Sequence, residues 1–114
     1  MKQLNSNILG FLGLLRRAGK ITVGCDPVCD SAAKGNAKAI LMAEDISENT
    51  KKTVLKRTKA YLPHTYIIKC TKDELSHALG KTAAVISVDD EKAAESALQK
   101  LADDKEECHY DDKI

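Results

Sequence analysis

The sequence of 114 residues is poor in aromatic side chains, with no Trp, one Phe and three Tyr. Recognition of nucleic acids by stacking bases on aromatic side chains is therefore poorly supported. Long apolar runs are also missing. The longest covers residues 8–15 and is interrupted by two glycines, whereas a membrane span needs about 20 residues. No signal-peptide pattern opens the sequence, which predicts a cytoplasmic protein with no membrane partner.

The short motifs of several enzyme classes are also missing. The sequence contains no Walker A motif, no Gly-x-Gly-x-x-Gly and no Gly-x-Ser-x-Gly. The histidines His64, His77 and His109 fall in separate predicted elements or in the tail. An acid role stays open for Glu44 and Asp45, which follow a predicted strand at the end where active sites of α/β proteins gather. We predict a protein that is not an enzyme and has no cofactor and no small-molecule substrate.

The four cysteines form no Cys-x-x-Cys pair. In a reducing compartment a disulfide framework is not expected. Cys25 and Cys29 are four residues apart and could share one face of a helix, so a thiol or zinc site with Cys70 and Cys108 is conceivable. Their spacing matches no common zinc arrangement. Small buried side chains are the favoured interpretation, and no metal site is predicted.

The length predicts one domain with one modest core. The net charge is +1, but the charges are unevenly distributed. Residues 1–82 carry seven more basic than acidic side chains, whereas residues 83–114 carry six more acidic than basic ones. The basic body favours an anionic partner.

Apolar spacing and turn residues predict the element order α-β-α-β-α-β-α-β-α. The Asp26–Pro27 pair is typical of a helix N-cap followed by proline, and residues 71–74 match a capping box. Ser47 is a candidate N-cap of the third helix, and Asp89 or Asp90 would cap the last helix. The alternation predicts a three-layer α-β-α sandwich with a four-stranded mixed sheet. Residues 1–102 would form this domain, and the acidic residues 103–114 a mobile tail.

Basic residues cluster around two glycine turns. Arg16, Arg17 and Lys20 surround the turn at residue 19, and Lys34 and Lys38 surround the turn at residue 35. We expect both groups to border the start of the second helix. Such clusters suit contacts with nucleic-acid phosphates, which position a nucleic acid without reading its bases. Composition alone is equally consistent with a solvated basic face.

Five blocks in the sequence are similar to one known family. They are the residues LLRRAGKITVG (14–24), KGNAKAILMAEDIS (34–47), NTKK (49–52), KDEL (72–75) and LGK (79–81). In this order they resemble the kink-turn RNA-binding ribosomal proteins of the archaeal seven-Ae type, in their bacterial YlxQ-like branch. The resemblance covers about residues 5–101. It implies an α-β-α sandwich that binds RNA at a kink-turn, with the start of the second helix in the widened groove.

The resemblance also implies which residues read the RNA, and here the sequence departs from the family. The family has Asn, Glu and Lys where this chain has Asp26, Pro27 and Asp30. An ionised Asp only accepts hydrogen bonds, whereas an Asn amide also donates them. Asp30 would repel a phosphate. The second family contact corresponds to the loop of residues 81–84, which is only partly apolar.

The sequence therefore predicts a protein that binds structured RNA, with ribosome association as one setting and with altered base reading. The alternative is the same fold used for a protein partner or for a different RNA. The predicted RNA-binding residues are Arg16, Arg17, Lys20, Gly24, Cys25, Asp26, Pro27, Asp30, Lys34, Lys38, Lys81, Thr82 and Ala83.

Overall fold

Helices and strands alternate along the chain. The computed structural model describes residues 6–61, 64–101 and 105–108. The helices in these ranges are α1 (Ser6–Arg17), α2 (Cys25–Ala33), α3 (Glu48–Thr58), α4 (Lys72–Leu79) and α5 (Glu91–Leu101), with a 3₁₀ turn at Lys59–Tyr61. The strands are β1 (Ile21–Val23), β2 (Ala39–Ala43), β3 (His64–Ile68), β4 (Val85–Val88) and β5 (Lys105–Cys108). All nine predicted elements are present, and within the described ranges no helix is long and apolar enough to cross a membrane.

The strands form one mixed sheet in the order β1-β4-β2-β3-β5. β4 lies between β1 and β2 and is antiparallel to both, and β2 is parallel to β3. In the centre of the sheet, Leu41 lies opposite Ile86 on one side and Tyr66 on the other. The predicted sandwich with a mixed sheet is confirmed.

β5 lies in the segment that the sequence predicts to be a mobile tail. It pairs antiparallel with β3, with Lys105 opposite Ile68 and Cys108 opposite Thr65. The expectation of a mobile tail is therefore wrong for these four residues, and the sheet has five strands. Pairing with an open strand edge uses backbone groups and needs no apolar side chains, so the acidic composition gives no sign of it. The other residues of 103–114 lie outside the described ranges.

The two faces of the sheet bury separate cores, as β2 illustrates. Leu41 and Ala43 belong to the cluster formed with α1, α4 and α5, whereas Ile40 and Met42 belong to the cluster formed with α2 and α3. All five residues of β2 are buried. Burial on both faces explains why this strand has a continuous apolar sequence instead of alternating polar and apolar residues.

The start of α2 differs from the prediction. Gly24 is the N-cap, with φ at 104°, and its carbonyl accepts a hydrogen bond from the Val28 N–H at 3.0 Å. Asp26 is therefore not the N-cap, and Asp26 and Pro27 are the second and third residues of the helix. Glycine adopts this positive φ without the strain that a side chain causes. Proline is tolerated here because the first N–H groups of a helix have no partner within the helix.

The other predicted helix starts are confirmed. Thr71 Oγ1 accepts a hydrogen bond from the Glu74 N–H at 3.1 Å, and Glu74 Oε1 accepts one from the Thr71 N–H at 2.9 Å. This reciprocal pair is the predicted capping box. Ser47 caps α3 as predicted. Of the two candidate caps of α5, Asp90 is used, since its Oδ2 accepts from the Ala93 N–H at 2.9 Å.

Candidate nucleic-acid interface

One end of the sheet brings the two segments with predicted RNA contacts together. At this end, which we call the carboxyl edge, β1, β2 and β3 end and β4 begins. The Gly24 N–H donates to the Val85 carbonyl at 3.0 Å, and the Ala43 N–H donates to the Ala84 carbonyl at 2.9 Å. The start of α2 and the loop of residues 81–84 are therefore neighbours, although about 60 residues separate them in the sequence.

The first two turns of α2 present side chains to solvent. Asp26, Pro27 and Asp30 are exposed, and Cys25 is half-buried. Val28 on the opposite side of the helix is fully buried and anchors it to the core beneath. The positions at which this sequence departs from the family pattern thus lie on the surface, where a bound RNA could reach them.

Arg57 of α3 reaches the start of α2. Its Nη1 lies 2.6 Å from Asp26 Oδ1, and this hydrogen bond raises the pKa of the Arg57 guanidinium. The Arg57 side chain is 42% exposed and that of Asp26 is 85% exposed, so the pair remains accessible to a ligand. The sequence gives no sign of this contact, because 31 positions separate Arg57 from Asp26 and only the packing of α3 on α2 joins them.

The loop of residues 81–84 offers fewer contacts than predicted. Lys81 and Thr82 are exposed, but Ala83 is 3% exposed and belongs to the core. Its N–H donates to Ser76 Oγ at 2.8 Å and its carbonyl accepts from the same hydroxyl at 3.2 Å. Ala83 is therefore buried in this structure, with both backbone groups bonded to Ser76, and its contact with RNA stays a prediction.

The basic residues around the two glycine turns do not border the start of α2 as expected. The Lys38 N–H donates to the Val88 carbonyl at 2.8 Å, and the Lys20 carbonyl accepts from the Asp89 N–H at 2.8 Å. Both lysines thus lie at the opposite end of the sheet, which we call the amino edge. Lys34 follows the last residue of α2, about 13 Å along the helix from its start. The short distance in sequence predicted that both groups border the start of α2. In the structure, β1 lies between this start and Lys20, and the length of α2 lies between this start and Lys34.

Arg16 and Arg17 lie on the other side of the sheet. They line a groove of about 1060 Å³ between α1 and α4, together with Asp73 and His77. α1 and α4 contribute to the core on the face of the sheet that is opposite α2 and α3. These two arginines therefore belong to the layer on the opposite face of the sheet from α2, and their contact with RNA stays a prediction.

The candidate acid pair has a structural explanation. Glu44 and Asp45 are exposed at the carboxyl edge. Asp45 Oδ1 accepts a hydrogen bond from the Lys72 N–H at 2.7 Å, one of the backbone groups at the start of α4 that lack a partner within the helix. The Glu44 N–H donates to the Cys70 carbonyl at 2.8 Å. The pair thus ties the turn after β2 to α4.

Cys25, Cys29 and Cys70 are free thiols. Cys29 and Cys70 are buried, and burial raises their pKa to about 11 and about 12. Such thiols stay protonated near neutral pH and are poor nucleophiles and metal ligands. Over residues 6–61, 64–101 and 105–108, no three or more His, Cys, Asp or Glu side chains are placed to hold a metal ion.

Comparisons with known proteins agree with the fold and with the resemblance in sequence. Residues 6–98 match the model of the ribosomal protein L7Ae/L30e/S12e/Gadd45 family. The RNA-binding protein YlxQ of Bacillus subtilis is 33% identical over 93 residues, which are 80% of this chain and 91% of that protein. The RNA-binding protein YlxQ of Enterococcus faecium is 29% identical over 82 residues, which are 72% of this chain and 79% of that protein.

Two solved structures share the fold. A protein of unknown function from Bacillus halodurans C has a TM-score of 0.77 at 23% identity, covering 85% of this chain and 98% of its own. A 15.5kD RNA binding protein of Giardia lamblia has a TM-score of 0.65 at 12% identity, covering 90% and 92%. Because the family model spans four of the five strands and reaches into the last helix, the chain belongs to the ribosomal protein L7Ae/L30e/S12e/Gadd45 family.

Proposed function

We propose that this protein binds structured RNA, without catalysis, through the carboxyl edge. The observation that carries the proposal is the hydrogen bond from the Gly24 N–H to the Val85 carbonyl. It holds the start of α2 beside Val85, the residue that follows the 81–84 loop. The start of α2 and this loop are the two segments that the family resemblance implies as RNA contacts. The relatives named RNA-binding proteins in two bacteria support the same class of partner.

The residues at the edge favour contacts with the RNA backbone over base reading. Asp26 is engaged by Arg57, and an ionised carboxylate accepts hydrogen bonds but cannot donate them. Pro27 offers no side-chain polar group, and Asp30 is an exposed negative charge. We therefore propose weak discrimination between bases. A kink-turn is the first RNA to test, and the proposed setting is cytoplasmic RNA, ribosomal RNA included.

The test measures dissociation constants for a standard kink-turn RNA and for a straight duplex of equal length, over a range of salt concentrations. We expect tighter binding to the kink-turn and a steep fall in affinity with salt, because neutralised phosphates release counterions. Equal affinity for both RNAs would show that the bent RNA is not recognised. Absence of binding by a protein that circular dichroism shows to be folded would contradict RNA binding and favour a protein partner.

A matched pair of variants locates the site. Lys81→Glu reverses an exposed charge at the carboxyl edge, and Lys92→Glu reverses an exposed charge on α5, on the other side of the sheet. We expect Lys81→Glu to weaken RNA binding several-fold and Lys92→Glu to leave it within about twofold, since charges far from the phosphates are screened beyond about 10 Å at 0.1 M salt. The opposite ranking would place the RNA elsewhere.

A further inference from the structure

We infer that the exposed face of α3 is a second phosphate-contacting surface, continuous with the start of α2, and that Arg57 links the two. This inference rests on the proposed function and names the part of the chain that would supply most of the positive charge. We define the basic face of α3 by its four basic residues, Lys51, Lys52, Lys56 and Arg57. The helix contains one acidic residue, Glu48, in its first turn.

Packing decides which side of α3 faces solvent. Val54 is fully buried and Thr58 is 2% exposed, and Val54 contributes to the core that also contains Val28 of α2. Lys52 and Lys56 are exposed. Residues four apart lie on the same side of a helix, so these two lysines present a pair of charges about 6 Å apart along the helix axis. The apolar contacts of α3 thus orient its cations outward.

The ion pair at the end of α3 makes this face continuous with the carboxyl edge. Arg57 lies next to Lys56 in the chain, and its Nη1 is 2.6 Å from Asp26 Oδ1 in the first turn of α2. A guanidinium has five N–H donors, so one contact with Asp26 leaves donors that can bond to phosphate oxygens. Arg57 therefore brings a cation to the start of α2, where the family resemblance implies the lysine that Asp30 replaces.

The lysines of the amino edge are less suited to this role. Lys20 Nζ lies 3.6 Å from Asp90 Oδ1, and Lys38 Nζ donates to the Gly35 carbonyl at 3.2 Å. A phosphate would compete with these contacts, and both lysines lie at the far end of the sheet from the start of α2. Arg57 of α3, by contrast, contacts the start of α2 directly, and α3 contains a single acidic residue, in its first turn.

The test measures the RNA affinity of three double variants with reversed charges. The RNA is the kink-turn or the straight duplex, whichever the parent protein binds more tightly. The first is Lys52→Glu with Lys56→Glu. The second, on α5 across the sheet, is Lys92→Glu with Lys100→Glu. The third, at the end of α2 and the amino edge, is Lys34→Glu with Lys38→Glu. All six lysines are exposed, and thermal unfolding confirms that each variant is folded.

We expect the α3 variant to weaken binding at least about tenfold and to reduce the slope of log affinity against log salt by about 2, one for each lost phosphate contact. The α5 variant should stay within about twofold of the parent. The inference is overturned if the α3 variant binds like the α5 variant, or if the Lys34 and Lys38 variant shows the largest loss. In either case RNA binding by the parent still supports the proposed function, whereas a parent that binds neither RNA contradicts both.

Discussion

Arg57 in the last turn of α3 forms an ion pair with Asp26 in the first turn of α2, with 2.6 Å between Nη1 and Oδ1. The pair places a cation over a helix start whose own side chains are acidic or apolar. Positive charge at this site is therefore supplied by a neighbouring helix and not by α2 itself. The pair also occupies the carboxylate that stands where the family resemblance implies an amide for base reading.

Restoring the family residue types on α2 should restore affinity for a kink-turn. In the triple variant Asp26→Asn, Pro27→Glu, Asp30→Lys, the local charge rises by two, and an amide and a carboxylate become available for base edges. We expect binding to a standard kink-turn at least about tenfold tighter than that of the parent, measured by fluorescence anisotropy. The helix should survive, since Gly24 and not Asp26 is its N-cap.

The single variant Asp30→Lys separates charge from base reading in that experiment. It adds positive charge but leaves Asp26 and Pro27 in place. If Asp30→Lys alone reproduces the whole gain, and equally on a straight duplex, the restored residues act through charge only. Equal tight binding by parent and triple variant would show that the start of α2 does not need those side chains.

The close packing of α1 on α4 predicts opposite effects for two glycine substitutions in α1. A Cβ at Gly13 would lie 2.9 Å from the Ala78 carbonyl oxygen, whereas a Cβ at Gly10 would meet nothing within 4 Å. Gly10→Ala should raise the free energy of unfolding by up to about 1 kcal/mol through helix propensity. Gly13→Ala should lower it by about 1 to 2 kcal/mol, because the two helices must move apart. Urea unfolding of both variants provides the comparison, and a stabilised Gly13→Ala would contradict the close approach.

Asp89 joins β1, α2 and β4 at the amino edge, and its removal should destabilise the fold. Its carboxylate accepts hydrogen bonds from the hydroxyls of Thr22, Ser31 and Ser87 at 2.5, 2.9 and 2.8 Å. Ser87 and Ser31 are buried, so their hydroxyls would lose an acceptor at a cost of about 1 to 3 kcal/mol each. We expect Asp89→Ala to lower the free energy of unfolding by about 2 to 4 kcal/mol. Asp30→Ala, which removes an exposed carboxylate, serves as control and should have a small effect.

The buried thiols predict a loss of stability at alkaline pH. In the unfolded chain a thiol titrates near 9.0, whereas burial raises the pKa of Cys29 to about 11 and that of Cys70 to about 12. Between pH 9 and 11 the unfolded state therefore binds fewer protons than the folded state, and the free energy of unfolding falls as pH rises. Each thiol contributes a slope of up to about 1.4 kcal/mol per pH unit.

The double variant Cys29→Ala, Cys70→Ala isolates this contribution, because other groups also titrate in that range. We expect its unfolding free energy to depend less steeply on pH than that of the parent, even though the loss of buried sulfur lowers its stability at pH 7. If the unfolding free energies of the parent and the double variant had the same slope against pH, the two thiols would not be shielded from solvent. Alkylation at pH 8 offers a second readout, in which Cys25, half-buried, should react before Cys29 and Cys70.

Local sequence signals specify most of the fold. The capping box at Thr71 and Glu74 and the N-cap at Ser47 act over three residues, and the structure contains both. The apolar run of β2 predicts a strand buried on both faces, which is what the sheet requires. Interactions of this range depend on neighbours in the chain, so the order of elements and the sandwich could be predicted without the tertiary structure.

Contacts between distant segments decide the rest. β5 depends on the free edge of β3, and the cap at Gly24 replaces a plausible one at Asp26 because the chain must turn from β1 into α2 with a positive φ. The five basic residues near Gly19 and Gly35 flank the start of α2 in the sequence. In the structure, the length of β1 or of α2 lies between that start and the three lysines, and the two arginines lie across the sheet. Arg57 reaches Asp26 only because α3 packs on α2 over the shared core. Which charges share a surface is set by packing across the sheet, and no local pattern encodes it.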